Sequence, residues 1–357
     1  MALVRITSPH ARGNNRTQTI MLWVLGATLP GVAVMTWLFG FGTLINILLA
    51  SCFALAAEAL ILRLRKRPVV FFLSDGSALV TAWLLALALP PYVPWWLVLV
   101  GTSFAIVFGK QLYGGLGQNP FNPAMVGYVV VLISFPVEMT TWPAWRGIEQ
   151  ALPDLHSVLG LLEALQRVFL PGSVPTIDGW TLATPLDVVK NNSSLTMDEL
   201  AASGQPVFGS LGGRAWEWVN IAYLLGGAVL IYKRVLSWHA PAGMLLALGL
   251  MSLLFWGGSG SDSNGSPMFH LLSGATMLGA FFIVTDPVSG ATSSLGRIVF
   301  GAGVGILVYV IRAWGGYPDA VAFAVLLMNL AAPTIDYYTT PRTYGHRKAE
   351  RGMGKAD

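Results

Sequence analysis

This chain predicts an all-α integral membrane protein: about ten transmembrane helices in two inverted five-helix halves, with one periplasmic insert. Three observations lead there. Ten apolar stretches are each about long enough to cross a ~30 Å hydrocarbon core as a helix. Of the 357 residues, 54% are hydrophobic and only 11% charged, with a mean hydropathy of +0.63, a surface that a soluble chain of this size does not keep dispersed. Segments in the two halves resemble each other at an offset near 200 residues.

Windows of about 19 residues place the first half, 1–136, on spans near 20–40, 42–62, 69–89, 94–110 and 121–136. A hydrophilic insert follows at 137–215. The second half, 216–336, has spans near 216–232, 240–257, 269–285, 297–312 and 318–335, and 337–357 forms a C-terminal tail. The basic segment Arg5, Arg12, Arg16 precedes the first span with no small-residue cleavage site, so a removable signal peptide is not expected. Lys and Arg are retained on the cytoplasmic side of short loops. An inside N-terminus collects sixteen of the twenty-one basic residues on that side. Both termini are then cytoplasmic and the insert periplasmic or extracellular, in a multi-pass membrane protein. The net charge of +4 reflects this loop asymmetry; no basic cluster suits a nucleic-acid backbone. The single cysteine, Cys52, excludes an internal disulfide and any multi-cysteine iron–sulfur cluster built from this chain alone.

LSDGSALVTAWLLALALPP at 73–91 resembles LSGATMLGAFFIVTDP at 272–287, and KQLYGG at 110–115 resembles RAWGG at 312–316. Five spans per half force the second copy to enter from the opposite side, giving an inverted pair.

The insert carries Asp178-Gly-Trp-Thr181-Leu-Ala183-Thr184. This fits Asp-x-x-Ser/Thr-x-Ala-Thr, the signal read by the periplasmic flavin transferase that links FMN to a threonine hydroxyl through a phosphoester. Thr184 is the expected attachment point, in a polar loop bounded by Pro175 and Pro185 that is able to enter another enzyme's site. The competing reading is an ordinary turn before a proline, and the periplasmic position favours the flavin. Ser273-Gly-Ala-Thr276 also resembles a flavinylation tetrapeptide, but His270 stands six residues before Thr276 where the signal has an acid. It falls in the eighth span and reads as small residues for close helix packing.

Taken together, HLLSGATMLGAFFIVTDPVSGATSSLGRIVFG at 270–301, WGGYPDAVAFAVLLMN at 314–329, DYYTTPRTYGHRK at 336–348 and ATPLD at 183–187 resemble the D-subunit family of the bacterial Rnf complex. That complex is an ion-translocating ferredoxin:NAD oxidoreductase, and the family is similar to the B subunit of the sodium-translocating NADH:quinone reductase. The resemblance covers nearly the whole chain. It implies a membrane electron-transfer component, not catalytic alone, with one FMN on Thr184. It also implies partners: a G subunit with its own covalent FMN, the small A and E membrane subunits, and the peripheral B and C subunits. A second, noncovalent flavin, riboflavin, is implied for some members; no short motif marks its site.

Glu58 and Asp75 lie about 8–12 Å along their helices from the basic inner loop. Ionisable groups in a membrane are costly enough to point to function, here an ion path; the alternative is snorkelling or pairing with Arg63, Arg65, Lys66 or Arg67. Lys110 with GGLGQNPFNPA at 114–124, Asp286-Pro287 and Arg312 stand at comparable boundaries. His239 and His270 read as hydrogen-bonded fillers, and the tryptophans as an aromatic belt. Coupling to Na⁺ or H⁺ movement requires that cofactor reduction favour one of two states. A channel or transporter of urea-channel-like inverted-repeat architecture, or a non-redox scaffold, satisfies the same hydropathy. The Asp178–Thr184 segment separates these readings, because neither alternative uses a flavinylation signal.

Overall fold

Helix α1 (Thr17–Phe39) and helix α2 (Gly42–Leu64) open the chain as two long apolar rods. The computed structural model describes residues 17–153, 158–171, 179–192, 195–202, 207–209, 211–258 and 263–340. The N-terminal basic segment with Arg5, Arg12 and Arg16, Pro175, Asp178 and the tail beyond 340 lie outside the described residues.

On α2 the residues facing the bundle, Asn46, Ala50, Ala54 and Glu58, recur every four positions and are buried, while Leu48, Leu60 and Leu64 face outward. An i, i+4 stripe is one helix face. The polarity is inverted relative to a soluble helix, with small and polar residues inside and leucines outside, as lipid-facing surfaces require.

The span near 69–89 consists of two pieces, α3 (Val69–Leu73) and α4 (Ser77–Ala88), separated at Ser74-Asp75-Gly76. Helix α5 (Trp95–Phe104) runs on as a π-helical stretch, Ala105–Gln111, and α6 (Pro123–Ser134) closes this half. Its start is set locally: the Asn122 side chain accepts from the N–H groups of Ala124 and Met125, and Pro123 needs no donor partner.

The insert holds only short helices: α7 (Pro136–Thr140), α8 (Leu161–Phe169), α9 (Pro185–Lys190) and α10 (Met197–Ala202). Among the described residues there is no extended strand, only the isolated bridges Pro143–Thr181 and Phe208–Gly213.

The second half repeats the order. Helices α11 (Trp216–Tyr232) and α12 (His239–Leu254) precede a second broken span, α13 (Pro267–Leu272) and α14 (Thr276–Leu278), the latter continued by a π stretch, Gly279–Ile283. Helices α15 (Ser294–Trp314) and α16 (Val321–Thr339) follow. A Cβ added at Gly301 or Gly305 of α15 would run into the backbone carbonyl of Ala240 or Met244 on α12, so these glycines allow the two backbones to approach. Helix α1 packs on α11 in the same manner, a Cβ at Gly226 running into the Ala27 carbonyl, and Gly31 lies under the Tyr223 ring.

Helices α1, α2, α15 and α16 are long and apolar enough to cross a membrane, and α4, α5 with its π stretch, α6 and α12 are shorter apolar helices. Both breaks occur where a glycine has left-handed φ, +77° at Gly76 and +60° at Gly274. Hydropathy windows read straight through such breaks because the residues on either side are apolar.

Candidate functional site

Thr184 is the N-cap of α9 and not part of a loose loop. Its hydroxyl accepts from the Asp187 N–H at 3.2 Å, and the Thr184 N–H donates to Asp187 Oδ2 at 3.1 Å, a reciprocal capping box closed by Pro185 at the first helical position. The Thr184 hydroxyl donates in addition to Asp187 Oδ2 at 2.5 Å. Upstream, the segment is tied to the residues after α7, with Ala144 N–H donating to Trp180 O at 2.8 Å and Leu182 N–H to Trp142 O at 3.0 Å. Ala183 is exposed; Thr181 and Thr184 are half-buried. Of the four residues of the signal, Asp178 alone is outside the described residues.

Behind Thr184 lies a cavity of about 80 Å³ where three parts of the chain meet. The first half contributes Met125 and Tyr128, the insert Trp142, Thr184 and Asp187, and the second half Trp216, Gly274, Tyr317 and Asp319. Burial pushes the Asp187 carboxyl above its ordinary value; the hydrogen bonds from Thr184 oppose this, the Asp319 charge adds to it and Lys190 opposes it. Lys190 is shifted down by burial, with Asp187 opposing. Its ammonium donates to Arg312 O at 3.1 Å, docking α9 on the end of α15.

Next to that cavity, the second helix break is held by a buried Arg312. It donates to His270 O at 2.8 Å, to Thr276 Oγ1 at 3.0 Å and to Asp319 Oδ1 at 3.2 Å. Asp319 Oδ2 accepts from the Ala275 N–H at 2.8 Å, and Asn220 of α11 donates to Leu272 O and Gly274 O. Backbone groups freed by the break are thereby satisfied inside the bundle, as a hydrocarbon surrounding demands. Thr276 is fully buried and its hydroxyl donates inward to backbone carbonyls; Ser273 is equally buried.

At the other end of the bundle Glu58 and Asp75 belong to one network. Glu58 Oε1 accepts from Lys110 Nζ at 2.6 Å and from Gln111 Nε2 at 2.7 Å, Lys110 Nζ donates to Ser77 Oγ at 2.7 Å, and Asp75 Oδ1 accepts from the Ser77 hydroxyl and N–H. Glu58 therefore pairs with Lys110 and not with the loop cations. Arg65 and Arg67 instead donate to the carbonyls of Gln111 and Gly114. The π stretch turns both Lys110 and Gln111 inward, the kind of local rewinding that often marks functional segments. A cavity of about 200 Å³ adjoins this network, lined by Ser77, Lys110, Asn119, Asn122, Asp286 and Arg297 among others. His270 Nε2 lies 2.9 Å from Asn264 O, a filler role; His239 stacks on Trp238.

Sequence reasoning does not single out Asp187, Lys190 or Asp319. The Thr-x-x-Asp spacing of 184–187 is a readable capping signal for the first. Asp319 has none, since its partners lie in α13 to α15.

A bundle of apolar helices interrupted by buried polar breaks, with a polar insert seated on one end, defines an all-helical multi-pass membrane protein. The chain belongs to the NQR2, RnfD, RnfE family, whose profile matches residues 4–345. It is 70% identical over 353 residues to the D component of the ion-translocating oxidoreductase complex of Ectopseudomonas mendocina, covering 99% of each chain. It is 68% identical to the corresponding protein of Pseudomonas aeruginosa over the full length of both, and 57% identical to that of Cellvibrio japonicus over 98% of this chain and 97% of the relative.

Proposed function

We propose that this chain is a membrane component of an ion-translocating ferredoxin:NAD oxidoreductase complex and passes electrons through FMN esterified to Thr184. The supporting observation is the position of the Thr184 hydroxyl, the last residue of a flavinylation signal, on the rim of a cavity whose Trp142, Trp216, Tyr128 and Tyr317 suit a flat ring. Bound FMN supplies the one-electron redox chemistry. The protein anchors it through Thr184, offers aromatic surface and places Asp187, Asp319 and Arg312 nearby as charges that bias its potential. Similarity to proteins named as component D of an ion-translocating oxidoreductase complex supports further subunits as partners; in this reading they are the A, B, C, E and G subunits, in an inner membrane. The flavin transferase is a transient partner in this reading. Riboflavin takes a separate site, which the proposal leaves unassigned.

The proposed topology is ten spans in two inverted halves, termini cytoplasmic and insert periplasmic. Supporting it are the two breaks at matching positions and two buried cations, Lys110 and Arg312, each donating to the hydroxyl just after its break, Ser77 and Thr276, at opposite ends of the bundle. Glu58 and Asp75 are the proposed ion-path groups, in one network beside the larger cavity. A urea-channel-like transporter shares the broken helices but has no use for Thr184.

The test is in-gel flavin fluorescence of denatured protein made together with the transferase. Thr184→Val abolishes the signal and Thr276→Val retains it. The reverse pattern moves the attachment site, and a dark wild-type band favours the transporter.

A further inference from the structure

A threonine hydroxyl is a weak nucleophile, and its conversion to a phosphoester needs a base within hydrogen-bond reach. A capping box requires only two bonds, each from a backbone N–H: Asp187 N–H to Thr184 Oγ1 and Thr184 N–H to Asp187 Oδ2. Here a third bond is present, from the Thr184 hydroxyl itself to the Asp187 carboxylate at 2.5 Å. The Thr196–Glu199 box on the exposed side of the insert carries the same third bond at 2.9 Å; the Thr184–Asp187 bond is the shorter of the two, and it lies part-buried against a cavity that Thr184 and Asp187 both line.

We propose that Asp187 is the general base for esterification of Thr184, so that the chain carries its own proton acceptor into the transferase reaction. The inference rests on the reading of Thr184 as the flavinylated residue. The co-reactant is a flavin nucleotide joined through a pyrophosphate to a second nucleotide, of which FAD is the probe. Thr184 Oγ1 attacks the flavin-side phosphorus. The new O–P bond forms, the bond from that phosphorus to the bridging oxygen breaks, and AMP leaves with the electron pair. The Thr184 proton passes to Asp187 Oδ2 and from there to solvent. Nothing is oxidised or reduced.

The surroundings suit the role. Burial holds the carboxyl above its ordinary range and makes it a stronger base. The charged and titratable groups facing it are Asp319 before α16, Lys190 on its own helix and Tyr128 on α6; Arg312 of α15 is engaged by Asp319. Ala183, immediately before Thr184, is exposed, so the segment is open to an approaching enzyme on that side.

The experiment uses the full-length chain produced without transferase, reconstituted in nanodiscs and mixed with excess purified transferase and FAD. The initial rate of covalent flavin incorporation is read by fluorescence of the denatured band across a pH series. Asp187→Asn is expected to slow incorporation about 10²-fold, with the same end-point on long incubation, while Asp187→Glu stays within about tenfold. An Asn variant with the wild-type rate and pH profile overturns the proposal. If Asp187→Asn melts below wild type, Asp187→Glu decides: a displaced midpoint of its rate–pH profile supports a base on this chain, and an unmoved midpoint overturns it. Labelling that persists in Thr184→Val instead overturns the attachment reading on which the proposal rests.

Discussion

The two helix breaks are built to the same plan with different chemistry. At each, a buried cation from the fourth helix of its half donates to a hydroxyl one or two residues after a left-handed glycine: Lys110 to Ser77 after Gly76, Arg312 to Thr276 after Gly274. Lys110 is a compact charge whose partners are all side chains, Glu58 and Ser77. Arg312 is a rigid fork that also binds the backbone carbonyl of His270. The guanidinium's planar fork reaches backbone and side chain at once, whereas the ammonium here meets side chains alone. The second break, next to Thr184, is thus fixed by backbone contacts from Arg312, Asp319 and Asn220. The first depends on the Lys110–Glu58 charge pair; each break leaves buried atoms without a hydrogen-bond partner among the described residues, Glu58 Oε2 and Gln111 Oε1 at the first and Arg312 Nε at the second. Of the two, the first is held by side chains pairing with one another and the second by side chains bonding to backbone.

Double-mutant cycles challenge this difference most strongly. Lys110→Met leaves Glu58 buried and unpaired, a loss of about 3–5 kcal/mol. Combining it with Glu58→Gln is expected to restore more than half of that loss, because no backbone group depends on the pair. Arg312→Met with Asp319→Asn is expected to restore less than half, since the carbonyl of His270 stays unsatisfied at about 1–3 kcal/mol. Thermal unfolding of the purified chain in detergent measures both cycles. Equal recovery at the two ends removes the distinction.

Glycine substitutions refine the contrast at smaller amplitude. Gly76→Ala costs mainly the left-handed backbone, about 1–2 kcal/mol, because the new Cβ meets only Met21 Cβ at 3.4 Å. Gly274→Ala costs more, as its Cβ would lie 2.7 Å from Leu186 Cδ1 and 2.8 Å from Asp319 Oδ2. It is also expected to loosen α9, read as faster amide exchange at Val188 and Val189, whereas Gly76→Ala leaves those amides unchanged.

The smallest expected effect is a pH dependence confined to the insert end. Asp187 has a folded pKa raised chiefly by burial. The stability it contributes is fully present below its unfolded value near 3.8 and is lost as pH rises through the folded value. Protection of the α9 amides should therefore increase when neutral solution is acidified into that window, and Asp187→Asn should flatten the response. Hydrogen exchange at several pH values, corrected for intrinsic rates, checks it. An unchanged slope in the Asn variant rules Asp187 out as the titrating group.

Much of the membrane scaffold is legible in the sequence because burial in lipid selects long apolar runs, and α1, α2, α15 and α16 follow them. The broken spans are not, because hydropathy averages over Asp75-Gly76 and Gly274-Ala275 without sensing a left-handed φ. Thr184 stands out in the chain as part of a linear signal, and its relatives in the NQR2, RnfD, RnfE family are evident from end-to-end similarity. Which groups meet was settled by packing alone: Lys110 with Glu58 across 52 residues, Ala275 with Asp319 across 44, and Thr184 on a cavity whose walls come from both halves. Local propensity and hydropathy act over a few turns of chain, whereas a buried charge takes whichever partner the packing of distant helices brings within reach.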